Sequence, residues 1–163
     1  MKKITLIVAL CLGITASYGQ DVKEADVPAP VKDAFAKKYP GLKAEWEKED
    51  GNYEAEFEGK RIKTNMETGS TSKVRVEGTV LISPTGSILE TEEESETKSL
   101  PNGISDYVTK NLGGKKIKEA YKITDNTGVI SYEIEIGKDE YLFDSNGGFL
   151  KKAEEKDEKD DDK

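Results

Sequence analysis

One pattern of apolar spacing is written twice in this chain, and any fold must house both copies. Val31, Ala34, Phe35 and Tyr39 follow Val27-Pro28, and Ile104, Tyr107, Val108 and Leu112 repeat their spacing 73 residues later behind Leu100-Pro101. Apolar residues three and four apart line one face of a helix. Proline suits the first turn, where its missing N–H costs no hydrogen bond. Pro40-Gly41 and Gly113-Gly114 are the stop signals. The spacing therefore predicts helices over 30–39 and 103–112. Gly103, in the first turn of the second, costs that helix about 1 kcal/mol against alanine.

The stretch behind each helix is also duplicated, and it reads as strand. Tyr53-Glu54-Ala55-Glu56-Phe57 returns as Tyr132-Glu133-Ile134-Glu135-Ile136. The run Val80 to Leu89, with Pro84-Thr85-Gly86 inside it, returns as Tyr141 to Leu150, with Ser145-Asn146-Gly147. Period-two alternation marks strands with one covered face, and the glycine-bearing triplets mark hairpin turns. Further strands are expected around Ala44–Glu47 and Ile117–Ile123, with turns at Asp50-Gly51-Asn52 and Asp125 to Gly128. Gln20 to Asp26 reads as a polar lead-in. The copies differ in one place: between the Tyr53 and Val80 strands the first has 18 more residues than the second, within Gly59 to Gly78. A longer hairpin and a grafted recognition loop both fit that excess.

The ends are not part of the repeat. Lys2-Lys3, the apolar run Ile4 to Ile14 and the small residues of Ser17-Tyr18-Gly19 have the layout of a secretory signal peptide over 1–19. The run is too short to span a bilayer, so no membrane insertion is expected after cleavage. The chain is read as exported, to the periplasm or beyond the cell. Residues 153–163 form an almost wholly charged tail that cannot bury surface and is expected to be disordered.

Composition removes several chemistries. Cys11 is the only cysteine and lies in the signal segment, and the chain contains no histidine. A mature chain without either has no thiolate nucleophile, no Ser-His-Asp triad and no usual transition-metal ligand set. The net charge of −8 becomes −10 once Lys2 and Lys3 leave, with 23 basic residues against 33 acidic ones. Phosphate-backbone binding needs a basic patch, so nucleic acid is not expected as a partner. No glycine-rich phosphate loop follows a strand. No catalytic residue, metal site or cofactor is assigned.

A helix followed by four strands, written twice behind a signal peptide, resembles the PepSY-like family of exported proteins, whose domains are similar to those of beta-lactamase inhibitory protein. The matching text is Val27-Pro28 to Tyr39-Pro40, Tyr53 to Phe57 and Leu81 to Leu89, with their second copies. The resemblance implies an α+β fold of two tandem α-β-β-β-β units, over 27–94 and 100–152, each a helix packed on an antiparallel sheet. It implies a binding or inhibitory role outside the cytoplasm and carries no catalytic residue.

Two residue sets remain as leads. Glu54, Glu56, Glu133 and Glu135 alternate with core residues, and the strand reading sends them to a solvated face. A carboxylate-dependent hydrolase needs one of a carboxyl pair in an apolar, pKa-raising pocket, which such a face does not offer. Trp46 and Tyr121 lie on the first strand of each copy among charged neighbours. Covered, they are core edges; uncovered, they are candidate partner contacts, since Trp and Tyr dominate interface energetics. The expected function is a non-enzymatic exported module that binds or inhibits a protein or peptide. The alternatives are the hydrolase and a structural or envelope-stress protein without a specific ligand.

Overall fold

The computed structural model describes residues 20–64 and 68–153. The expected signal peptide, the tail beyond Ala153 and residues 65–67 lie outside the described residues. The architecture is α+β, with nine antiparallel strands and two α-helices among them. The described chain divides into two compact units, one running to Glu94 and taking in Lys122–Val129, the other formed by Ser95–Tyr121 and the residues from Ile130 on.

In the first unit, helix α1 (Ala29–Lys38) begins directly behind Pro28 and buries Val31 and Phe35. No side chain caps it, and Asp26 ends a 3-10 turn just ahead of it. Strands β1 (Gln20–Val22), β2 (Ala44–Glu49), β3 (Asn52–Thr64), β4 (Thr71–Ile82) and β5 (Ile88–Glu94) pair antiparallel in chain order. Strand β1 corrects the reading of Gln20–Asp26 as a lead-in. Its three residues pair with Lys48, Glu47 and Trp46, and Val22 packs on the core. It thus satisfies an edge that would otherwise present open amides.

Local chemistry sets the turns and the register. Asp50 and Gly51 both have positive φ, 48° and 81°, as a two-residue type I′ hairpin requires. That turn places Glu49 opposite Asn52 and Trp46 opposite Ala55. Strands β3 and β4 keep unbroken register from Tyr53 opposite Ile82 to Thr64 opposite Thr71. Gly59 to Gly78 is therefore built as a longer hairpin. The helix-side face of these strands carries Trp46, Ala55, Phe57, Val80 and Ile82, all buried with Val31, Phe35 and Tyr39 in one apolar cluster. Phe35 sits at its centre, with ring centroids 5.6 Å from Trp46 and 5.9 Å from Phe57.

The second unit has its own helix and apolar cluster. Helix α2 (Asn102–Asn111) follows Pro101 and buries Ile104 and Val108. They pack with Ala120 of β6 (Glu119–Asp125), Ile134 and Ile136 of β7 (Ile130–Ile136), and Tyr141 and Phe143 of β8 (Asp139–Asp144). Strand β9 (Phe149–Lys152) pairs with β8, and Tyr107 stacks on Phe149 at 4.5 Å. Full burial of an aliphatic or aromatic side chain contributes about 1.5–3 kcal/mol, so each cluster is a core in its own right.

One contact recurs in both units: a hairpin turn is pressed against the start of the helix. Gly86, with φ at +86°, leaves 2.6 Å between the position a Cβ would take and the Pro30 carbonyl oxygen. Gly147, with φ at +84°, leaves 2.8 Å to the Ile104 amide, and a Cβ on Gly103 would lie 2.8 Å from the Gly147 oxygen. Only glycine permits the conformation and the approach together.

Candidate functional site

Strand alternation puts everything not facing α1 onto the opposite face of the first unit's strands. There Glu45, Glu56, Thr79 and Glu92 stand side by side across β2, β3, β4 and β5. Glu47, Glu54, Leu81 and Glu90 form the adjacent row. No lysine or arginine occupies any of these positions. Like charges directly opposite on paired strands are destabilising, so the sequence holds a costly arrangement here.

This face is not the solvated one expected from sequence. Glu92 is only 3% exposed, and in the second unit Glu133 is 7% exposed. Glu54 is half-buried, and its carboxyl is raised to about 8, first by burial, then by the charges of Glu49 and Glu47, a hydrogen bond with Glu49 and the charge of Glu56. Burial, and then Asp125, also raise Glu90. The expectation failed because a central strand's second face is sheltered by its neighbours' side chains. Alternation predicts direction, not depth.

Thr79 lies between Glu56 and Glu92 and is 1% exposed. Its hydroxyl has no hydrogen-bond partner among the described residues. A buried hydroxyl left unpaired costs about 1–3 kcal/mol. Farther out along the hairpin the charge is balanced: Arg75 bridges Glu77 at 2.7 Å and Glu58 at 3.1 Å. In the second unit Lys118 pairs with Glu135. Among the described residues no group of three or more acidic side chains is placed to hold a metal ion.

The two aromatic leads are both covered. Trp46 is 6% exposed within the first core, edge-on to Phe35. Tyr121 is 8% exposed; Ala120 faces the second core, so Tyr121 takes the other side of β6, where its hydroxyl donates to Glu119 at 3.1 Å. The carboxylate rows and Thr79 went unnoticed in the sequence. The available signal was the turn at Asp50-Gly51, which fixes Glu47 opposite Glu54 and Glu45 opposite Glu56. An open groove of about 310 Å³ lies in the second unit beside α2, lined by Ser105, Thr109, Lys115 and Lys116 among others, without a carboxylate.

No family model and no curated protein matches this chain. Solved structures do share its fold. A candidate periplasmic protein from Bacteroides eggerthii aligns with a TM-score of 0.60 and 15% identity, over 78% of this chain and 88% of its own. A DUF2874 family protein from Bacteroides uniformis aligns at 0.59 and 16%, over 77% and 88%. A BLIP-like protein from Bacteroides fragilis aligns at 0.52 and 18%, over 77% and 85%. Identities this low establish a common fold, which includes the BLIP-like one. No described helix is long and apolar enough to cross a membrane.

Proposed function

We propose that the protein is an exported, non-enzymatic binding module that engages a protein or peptide through a sheet face. On this reading residues 1–19 direct export, and 27–94 and 100–152 are PepSY-like repeats. The likeness to a candidate periplasmic protein and to a BLIP-like protein supports export and binding. The observation that carries the proposal is the carboxylate face, which retains opposed glutamates and a buried unpaired hydroxyl at a cost in stability. Structural strain kept at one place is a mark of function. Trp46 supports that face from beneath as a core residue, and Tyr121 becomes a contact only if a partner uncovers it.

The raised carboxyls of Glu54 and Glu90 are the observations on the side of a hydrolase. A glycosidase-type pair must flank the scissile bond from two sides. Glu54 and its neighbours project from one side of one sheet, so they suit contact with a surface. The test is affinity capture on the chain without residues 1–19 from its host's exported fraction, followed by calorimetry with the purified partner. A saturable one-to-one complex is expected. A turnover activity that survives purification and is lost on changing a single glutamate would sink the proposal.

A further inference from the structure

Resting on the reading of residues 1–19 as an export signal, we infer that Gln20 becomes the first residue of the mature chain and is cyclised there to pyroglutamate, a cap that guards strand β1. Ser17 and Gly19 put small residues three and one before the bond to Gln20, the positions a signal peptidase reads. The residue that such a cut leaves at the terminus is the first of β1. Gln20 pairs with Lys48, in the outermost strand of the sheet order, and is exposed, so a modifying enzyme can reach it. Val22, only two residues further on, already packs on the first core. Removal of Gln20 and Asp21 would leave Val22 alone against Trp46 and reopen the edge of β2. Proteolysis ordinarily works on loose termini; here the terminus is itself a paired strand residue and has nothing to spare for trimming.

The chemistry needs nothing beyond the residue itself. An α-amino group titrates at about 8, so at neutral pH part of it is the free nucleophile. That amine attacks its own side-chain Cδ, and the new C–N bond closes a five-membered lactam. The bond from Cδ to Nε2 breaks, and Nε2 leaves as ammonia with the proton the amine gives up. No oxidant, reductant or second substrate enters. The product carries no terminal charge and no free amine for an aminopeptidase to bind.

The test is the intact mass of the full chain expressed in its host and purified from the exported fraction. The expected mass is that of residues 20–163 less one ammonia. No N-terminal sequence should be readable until pyroglutamyl aminopeptidase is added, after which it should start at Asp21. The mass of 20–163 with its ammonia retained would overturn the inference and leave the export reading standing. An exported chain cut at another bond would also overturn it, and one that still carries residues 1–19 would sink the signal reading with it. As a control, a 20–163 chain released from a fusion with Gln20 free should keep its ammonia through the same purification. Equal cyclisation of that control would make the lactam a product of handling, and the inference would fall. Gln20→Ala, exported alike, keeps its amine. A broad-specificity aminopeptidase should remove its first residues and lower its thermal midpoint, while the wild-type mass and midpoint stay unchanged. Equal resistance of the two would show that pairing with β2 alone protects the terminus, and would overturn the guarding role.

Discussion

At Gly103 intrinsic preference and packing oppose one another. In an open helix alanine would be preferred there by about 1 kcal/mol. Here the added Cβ would lie 2.8 Å from the Gly147 oxygen and 2.9 Å from that of Asn146. Backbone atoms of a closed turn cannot rotate aside, and forcing extra volume into a tight contact costs about 1–3 kcal/mol. Gly103→Ala is therefore expected to lower the urea midpoint. A midpoint that rose would mean the turn at Asn146-Gly147 gives way. At this scale the sequence was readable wherever the cause was local: Asp50-Gly51 as a turn, Pro28 and Pro101 as helix starts. Gly103 was legible only as a cost, because its reason is a turn far along the chain. Thr79 was not legible at all, since nothing in its own neighbourhood says that a hydroxyl will be buried without a partner.

Among the elements, the helices and the alternating strands β3 and β7 could be read directly, because apolar period reports a covered face. The three residues of β1 show no period; they are strand only because β2 offers an edge. The second face of β2–β5 was legible in content and misjudged in depth. That depth makes the pair β2–β3 sensitive to pH. Glu54 faces Glu47 and Glu49 of β2, Glu56 of its own strand and the uncharged Leu81 of β4. Its folded value of about 8 lies above the ordinary 4.5. Between those values the folded state holds a proton that the unfolded state releases, so this group makes stability fall as pH rises, and the loss is complete above about 8. The sign is opposite to that of a salt-bridged carboxylate. Glu54→Gln should thus be neutral near pH 4 and stabilising at pH 9, measured by denaturant midpoints across that range. A stability difference independent of pH would show that Glu54 titrates normally.

For the whole molecule, the described residues hold two apolar clusters, one against each helix. Only one of them contains an indole. Trp46 is the single tryptophan of the sequence, and it lies in the first cluster. The chain therefore carries an optical label addressed to one unit. Val108→Ala, which hollows the second cluster, should leave the native tryptophan emission unchanged, whereas Phe35→Ala, which removes the ring against which Trp46 rests, should shift it to the red. An equal shift from both would contradict the separation of the two clusters. The label also has a direction. Trp46 points to the helix side of β2 while Glu45 and Glu47 point to the other, so a ligand resting on the carboxylates can leave the emission dark to its arrival, and only a ligand that pries the core open will change its colour.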